Sequence, residues 1–569
     1  MSARERSSGS ARVAGSPKRS AAHAERWAWA LVVVGPVLVF ARALPYGFAK
    51  TWDDGRFIVD NPDVQHVSVG ALVRMFTTVQ FEAYHPLHLL SYWLDVPWFG
   101  PTPFAVHAVS LALWVFALTQ MYLLLRALGV PAISAAIGTL ACGVHPAQLE
   151  VVSWASGRKD VLALLFVASS LRLQLTAAGP WRARAWLGRA LYVAALLSKT
   201  TALPLPLFAL LLDVYALRKP WRSALLTQLP NFVLAGLASA AALWIWHDHT
   251  MLRTTLGGVE LAPLRFAQTL GHQWSTALWP SRNSPMYAIE NVAQFELTRM
   301  AAFGVYAAVC VWLLRAGRGL AFAGALGFAV WLVPASNLVP LYFPLQDRYL
   351  SLPLFALGIA LAGDLAQSQR RSQLQVLGFA IVAALAARGV QYAGEWQSET
   401  RLWGHAVRTQ PDATYAYLKL GEVRREAGDF EGAIHAYHGA IWLTPTRKLA
   451  HAGLFEVVAR RDERIRHLSP PRARELAVQY FKWLDDPDAL RPWVGELWAR
   501  GYVRSAELPL QLVLGYQPLP DNALAQAALA ALRADRPTLG QFYLHALKQP
   551  PDREPLAGVY AWPYLRVVP

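Results

Sequence analysis

Repeated apolar runs constrain the fold of this chain more than any other feature. A helix that spans a bilayer needs roughly 20 apolar residues. Runs of about that length fall near residues 27–47, 104–125, 128–145, 157–176, 187–198, 200–216, 228–246, 298–314, 320–336, 349–366 and 374–391. Charged residues make up only 16% of the chain, against about a quarter in soluble proteins. The sequence therefore predicts an all-α, polytopic membrane domain of about eleven spans, the fifth and sixth being short.

Basic residues flank these runs and set the predicted orientation. The formal net charge is +16, and the Lys and Arg clusters fall on one side if the 264–280 stretch lies at the interface instead of crossing. By the positive-inside rule that side is cytoplasmic. Residues 1–26 are then a disordered cytoplasmic tail, and an odd number of spans places the C-terminal region outside. The charge suits anionic membrane lipids, and we predict no nucleic-acid partner.

Residues 392–569 differ in character, because they are charged and punctuated by Pro and Gly. Between Thr414 and Pro445, small and aromatic residues have the spacing of one tetratricopeptide repeat. These residues are Tyr417, Leu420, Gly421, Gly428, Ala433, Tyr437, Ala440 and Pro445. About three repeats are needed for stability. We therefore predict a transmembrane domain over 27–391 and an extracytoplasmic α-solenoid over 392–569.

The solenoid prediction requires degenerate helix pairs around the one clear repeat. The candidate segments are 396–411, 448–463, 471–501 and 521–548. Such a solenoid would hold a protein or peptide partner outside the membrane.

An acid pair, Asp53 and Asp54, directly follows the first apolar run. Adjacent acids at a membrane surface are costly unless they face protein or water and serve a function. One interpretation is a solvated loop in which Asp53 caps a helix. The other is a general base that deprotonates an acceptor hydroxyl, with the neighbouring acid positioning it. Trp52 would anchor the segment at the interface or offer its ring to a sugar.

A second polar group lies at the predicted outer junction of the third and fourth spans. It comprises His145, Glu150, Arg158, Lys159 and Asp160. A salt-bridged hairpin is one interpretation. The alternative is that Arg158 or Lys159 contacts an anionic headgroup near the acid pair.

Two further outer junctions carry cations. Lys199 lies between two short apolar segments, where it either extends to the interface or binds a phosphate. The other junction holds Asn337, Asp347, Arg348 and Tyr349. Arg348 either pairs locally with Asp347 or donates to a phosphate oxygen and stabilises a leaving group.

These motifs, in this order, resemble the transmembrane and tetratricopeptide-repeat O-mannosyltransferase family and its bacterial relatives. The resemblance covers about residues 45–450. It is carried by WDD, HP…E…SGRKD, SK…LPL…D, LWPS, P-SN…DRY-LP and the C-terminal repeat. It implies a fold like that of the GT-C glycosyltransferases, which take a sugar from a polyprenyl-phosphate carrier at the outer face.

The resemblance also implies roles for residues. Asp53 and Asp54 match the acidic motif of the first outer loop, and Arg158, Lys199 and Arg348 match basic positions near the carrier phosphate. The supporting residues would be Trp52, His145, Glu150, Lys159, Asp160, Asn337 and Tyr349.

The implied reaction moves a hexose, such as mannose, from the lipid carrier to a hydroxyl of a protein or peptide. A bacterial relative would act at the inner membrane, with its C-terminal domain in the periplasm. No nucleotide cofactor is required, because the carrier phosphate is the leaving group. Whether the acid pair binds a divalent cation stays open.

Two other classes of function compete with this one. A membrane scaffold would use its spans only to anchor a partner-binding repeat domain. A transporter of lipid-linked sugar should place ionisable groups near the midplane and show broken-helix symmetry between its halves. Because the polar residues gather at one predicted face, the sequence favours the enzyme.

Overall fold

The computed structural model describes residues 17–444, apart from 81–83, 178, 249–257, 289–291, 293–294 and 340, together with residues 449, 450, 453, 454 and 457. These residues are mostly helical. The longer helices, numbered in chain order, are α1 (Pro17–Phe40), α2 (Val69–Thr77), α3 (Pro86–Ser91), α4 (Pro103–Ala127), α5 (Ala132–Gly143), α6 (Arg158–Leu175), α7 (Ala183–Ser198), α8 (Leu205–Leu211), α9 (Trp221–Asp248), α10 (Ala262–Leu278), α11 (Leu297–Arg315), α12 (Gly319–Leu332), α13 (Ser351–Gln367), α14 (Arg371–Ala393), α15 (Glu399–Thr409), α16 (Thr414–Glu426) and α17 (Phe430–Leu443). The predicted all-α character is confirmed for this part of the chain.

Six helices of the described chain are long and apolar enough to cross a membrane. They are Ala22–Ala43, Pro103–Ala127, Trp221–Ile245, Leu297–Arg315, Asp347–Gln367 and Arg371–Gln397. A bent pair, Ala132–Gly143 and Pro146–Val152, meets the same test as a broken span. The chain is therefore an integral membrane protein, while the count of about eleven spans stays a prediction. Two of the additional predicted spans, 200–216 and 320–336, correspond to shorter apolar helices.

Small residues let two of the central helices approach closely. A Cβ at Gly138 of α5 would lie 2.2 Å from the carbonyl oxygen of Gly358 in α13. A Cβ at Gly358 would in turn lie 2.4 Å from the Gly138 carbonyl oxygen. Helices in lipid associate through such small-residue contacts, since lipid offers no hydrophobic drive between them. This contact fixes the helix that begins just after Arg348.

The loop between α1 and α4 has a core of its own. This loop contains the amphipathic helix α2, whose first turn is capped by the Ser68 hydroxyl accepting from Ala71 N at 3.0 Å. The buried residues of the loop's core include Phe57, Ile58, Val64, Met75, Leu89 and Tyr92. The acid pair thus lies on a folded platform.

Contacts divide the chain into two units, Met1–Gln410 and Pro411–Pro569. The boundary between these units lies further along the chain than the predicted boundary at 391/392. In the second unit α16 and α17 pack through Leu418, Ala433, Tyr437 and Ala440. This helix pair lies where one repeat was predicted. The predicted pairs at 471–501 and 521–548, and most of 448–463, lie outside the described residues, so the solenoid stays a prediction.

Candidate active site

Asp54 is the buried member of the acid pair. After α1 the chain enters a π-helical turn, Gly55–Val59, that follows directly on Asp54. One Asp54 oxygen accepts from Ser156 N at 2.9 Å and from Ser156 Oγ at 2.5 Å. The other accepts from Ala49 N at 2.8 Å. Asp54 therefore ties the acid loop to the turn before α6 and does not cap the helical turn that follows it.

Burial dominates the chemistry of the Asp54 carboxyl. It raises the pKa of Asp54 to about 7, although the hydrogen bonds from Ser156 and Ala49 oppose the rise by favouring the ionised form. The neighbouring charge of Asp53 adds a smaller increase to this pKa. With both oxygens occupied and only 1% of the residue exposed, Asp54 is poorly placed to meet a substrate.

Asp53 has a different environment from Asp54. Its side chain is 37% exposed, and Oδ2 lies 3.8 Å from Lys159 Nζ. This carboxylate can be approached from outside while a cation faces it. The two acids, although adjacent in sequence, therefore have different environments: Asp54 is buried and Asp53 is partly exposed.

Lys159 lies between the acid pair and an aromatic surface. Its ammonium is 5.1 Å from the centre of the Phe57 ring and 4.9 Å from that of Trp154. Its side chain is 10% exposed. At 3.8 Å its ion pair with Asp53 is long, so a ligand anion can compete for this ammonium.

The other two cations of the cluster are held by buried acids. Lys199 pairs with Asp160, and Arg348 pairs with Glu150 through both its side chain and its backbone N–H. Glu150 and Asp160 are buried. A buried acid partner offsets the desolvation free energy of placing a cation in a low-dielectric site.

Stacked rings connect Arg348 to the acid loop. Trp52 stacks on Trp154 with ring centres 4.2 Å apart and planes at 14°. The Arg348 guanidinium lies 5.4 Å from the Trp52 ring and 5.1 Å from the Trp154 ring. Because Trp52 immediately precedes Asp53, Arg348 lies beside the acid loop.

Lys199 belongs to the same cluster as Lys159, because the charges of both lysines act on the His85 imidazole. Burial, followed by the charges of Lys159 and Lys199, lowers the pKa of His85 to about 3. Asp160 links the two lysines further, because it follows Lys159 in sequence and pairs with Lys199. Three cations and the exposed Asp53 carboxylate therefore gather at one end of the helical bundle.

Arg158 does not fit its predicted contact with a lipid phosphate. Its side chain is fully buried and pairs with Asp95. The guanidinium also donates to Ser110 Oγ at 3.0 Å, to the Ser91 carbonyl at 3.1 Å and to the Val106 carbonyl at 2.8 Å. With its donors occupied in the interior, Arg158 holds α4 and α6 against the outer loop.

Three supporting residues have structural positions. His145 Nδ1 accepts from Ala147 N at 3.1 Å at a helix start. Asn337 has a φ of 60° and donates to the Pro344 carbonyl at 2.8 Å. Tyr349 donates to the Phe343 carbonyl at 2.9 Å, with its ring 5.6 Å from the Arg348 guanidinium. Of these, Tyr349 alone borders the cation cluster.

The predicted local alternative for Arg348 is also resolved. Asp347 accepts from Tyr287 OH at 2.6 Å and from Asn283 Nδ2 at 2.9 Å, while Arg348 pairs with Glu150. Adjacent residues thus face different networks.

Sequence reasoning did not single out several residues of the site. Trp154 and Ser156 lie inside the HP…E…SGRKD stretch, but nothing in the sequence shows that they meet the acid loop. Asp95 had a usable signal, since a buried Arg requires an acid partner. Trp403, whose ring lies 5.4 Å from Trp52, belongs to a segment that was assigned to the solenoid.

Among the described residues, no group of three or more His, Cys, Asp or Glu side chains is arranged to hold a metal ion.

No protein-family model matches this chain. The crystal structure of ArnT from Cupriavidus metallidurans bound to undecaprenyl phosphate aligns with 78% of this chain and 81% of that chain, at 18% identity and a TM-score of 0.36. The human protein O-mannosyl-transferase TMTC1 is 32% identical over 170 residues, which cover 27% of this chain and 19% of the human protein. The chain thus matches about a fifth of that relative's length. This match confirms the resemblance: over about a quarter of its length, the chain is similar to the transmembrane O-mannosyltransferases.

Proposed function

We propose that this protein is a membrane glycosyltransferase that moves a hexose from a polyprenyl-phosphate carrier to a hydroxyl of a protein or peptide. The observation that carries the proposal is the approachable Asp53 carboxylate, 3.8 Å from the buried Lys159 ammonium. A base and a phosphate-binding cation side by side are what such a transfer needs. The similarity to a protein O-mannosyl-transferase supports the same class.

Asp53 acts as the base. It takes the proton of the acceptor hydroxyl while the oxygen attacks C1 of the hexose. The bond between C1 and the phosphate oxygen breaks, and the polyprenyl phosphate leaves with the bonding electrons. A single displacement of this kind inverts the configuration at C1. Asp54 fixes the loop that carries Asp53.

Lys159 meets the charge that develops on the departing phosphate. Its loose ion pair with Asp53 leaves it available, whereas Lys199 and Arg348 already have close acid partners. The acid partners of those two cations offset their charge, so the Lys159 ammonium carries the interaction with the phosphate. In a water-poor site that interaction is stronger than it would be in bulk water.

The test is transfer by the purified full-length protein. Polyprenyl-phosphate mannose, glucose and galactose are each supplied with a Ser/Thr-rich peptide, and the peptide mass is measured with and without a chelator. We expect one of the three donors to raise the mass of the peptide by one hexose for each transfer. Failure of all donors with a folded protein would favour the scaffold interpretation.

Variants assign the roles of the two acids. Asp53→Asn should lower turnover at least about 100-fold, since a general base contributes roughly 10²–10⁴-fold. The matched control is Asp60→Asn, an exposed acid in the same loop, which should retain activity. An active Asp53→Asn protein would contradict the assignment of the base.

Lys159 is tested separately. Lys159→Gln should raise the KM for the lipid donor and lower kcat, because it removes a charge that acts on both bound and departing phosphate. Lys50→Gln, an exposed position in the same loop, is the control. Donor kinetics unchanged by Lys159→Gln would exclude this role.

A further inference from the structure

The helix that follows the last apolar span contacts both sides of the candidate active site. α15 (Glu399–Thr409) begins two residues after the apolar helix Arg371–Gln397 ends. Its start is capped by Ser398 Oγ, which accepts from Arg401 N at 3.3 Å. It belongs to the first unit, which ends at Gln410.

One face of α15 holds the acid loop. Glu399 Oε1 accepts from Thr51 N at 2.9 Å and from Thr51 Oγ at 2.5 Å. One turn later, the Trp403 ring meets the Trp52 ring edge-on at 5.4 Å. Residues four apart lie on the same helix face, so one surface of α15 holds the two residues that precede Asp53.

Another face of α15 reaches the segment that carries Arg348. His405 Nε2–H donates to the Asn283 carbonyl oxygen at 2.9 Å. Asn283 Nδ2 in turn donates to Asp347 Oδ2 at 2.9 Å. Asp347 immediately precedes Arg348, so this chain of hydrogen bonds ends beside the cation cluster.

We propose that Glu399, Trp403 and His405, here called the α15 clasp, are positioning residues that set the distance between Asp53 and the cations. The inference rests on the proposed function and adds a site component that lies beyond the predicted transmembrane domain. None of the three side chains needs to touch the substrate. Their effect is on geometry, where an error of about 1 Å can cost about 100-fold in rate.

The first test breaks the contact between Glu399 and Thr51. Glu399→Ala should lower kcat about 10- to 100-fold and change the donor KM by less than about threefold, since a displaced base spares donor binding. Glu399→Gln keeps the oxygen that accepts both hydrogen bonds and should retain most of the activity. Glu426→Ala, whose side chain is 57% exposed on α16, is the matched control.

A double-mutant cycle separates positioning from general destabilisation. Thr51→Val removes the hydroxyl that bonds to Glu399 and should lower kcat by about three- to tenfold. Combined with Glu399→Ala, it should add little, because both changes break one interaction. The thermal midpoint of every variant is measured alongside. If Glu399→Ala does not fold, Thr51→Val alone carries the test.

Several outcomes would overturn the clasp. They are full kcat in folded Glu399→Ala, full kcat in Thr51→Val, strictly additive losses in the cycle, or loss in Glu399→Gln equal to that in Glu399→Ala. These results are distinct from failure of the proposed function, in which the unsubstituted protein would transfer no hexose from any donor. If the wild-type protein is active and substitution of Glu399 does not change kcat, the clasp proposal is wrong and the proposed function still holds.

Discussion

Two identical side chains, adjacent in the chain, have different surroundings here. Asp54 is enclosed by backbone N–H groups and the Ser156 hydroxyl, whereas Asp53 is partly exposed and faces an ammonium. A base must be reachable by its substrate, and a loop must be held in place for that base to work. The acid pair divides these two requirements between its members.

The raised pKa of Asp54 predicts a pH-dependent stability. An unfolded Asp carboxyl titrates near pH 3.9, and burial raises the pKa of Asp54 to about 7. Between these values the folded protein holds a proton that the unfolded chain has lost, so the stability contributed by Asp54 is full below pH 4 and is lost as pH rises to about 7. The loss is a few kcal/mol at most, at about 1.4 kcal/mol per pKa unit.

The measurement is the thermal midpoint of the detergent-solubilised protein between pH 4 and pH 8. The difference in midpoint between the unsubstituted protein and Asp54→Asn should shrink as pH rises, because Asn cannot titrate. Asp60→Asn provides the control curve. A difference that stays constant across this range would contradict the raised pKa.

The interior ion pair of Arg158 and Asp95 predicts a strong asymmetry between single and double substitutions. Arg158→Met leaves a buried carboxylate without its cation and should cost about 3–5 kcal/mol of stability. Arg158→Met with Asp95→Leu should recover much of that loss. The readout is the thermal midpoint, with Arg408→Met at the solvent-exposed ion pair with Glu395 as a control that changes little. A double variant as unstable as the single one would show that the pair itself is required.

Arg158 and Lys159 show where sequence reasoning stops. Both are cations at the start of α6, in one motif and next to each other. Adjacent residues of a helix point about 100° apart, since a turn holds 3.6 residues. Which cation faces the interior depends on packing that the sequence does not display. The acid loop, the aromatic Trp52 and the outer cations were predictable, because membrane energetics allows such residues few locations.

At the scale of elements, the site depends on how its helices approach each other. α5 precedes the segment of Glu150, and α13 follows Arg348. The Gly138–Gly358 contact joins these helices, so it also sets the position of an ion pair at the site. The apolar runs predicted both helices, but the close approach needed the packed structure.

Gly138→Ala should disturb this contact. Its Cβ would lie 2.2 Å from the Gly358 carbonyl oxygen, so α5 and α13 must separate, at a cost of about 1–3 kcal/mol. Hexose transfer should fall as well, because Glu150 and Arg348 move with these helices. Gly304→Ala is the control, since its Cβ would meet nothing within 4 Å. Equal thermal midpoints for the two variants would contradict the prediction.

At the scale of the whole molecule, the two ends of the bundle differ. α13 starts beside the cation cluster and runs to Gln367, which lines a cavity together with Arg218. With 1.5 Å per residue, this helix separates the two ends by roughly 25 Å. The site and Arg218, which precedes Lys219 and Arg222 in sequence, therefore lie at opposite ends of α13, while the outer location of the site stays a prediction.

Cysteine labelling checks the orientation. Arg401→Cys should react with a membrane-impermeant maleimide in intact cells, and Arg218→Cys only after permeabilisation. Both positions are exposed, and the native Cys142 and Cys310 are buried, so background labelling is low. The reverse pattern would place the N-terminus outside and the site in the cytoplasm.

The position of α15 has a practical consequence for anyone dividing this chain. A cut at residue 391, where composition changes, would discard Glu399 and Trp403 along with the repeat region. The remaining membrane fragment would lose the residues that bond to Thr51 and pack against Trp52. Inactivity of that fragment would then say nothing about whether the repeats recruit a polypeptide. A truncation meant to ask that question has to keep the chain through Gln410.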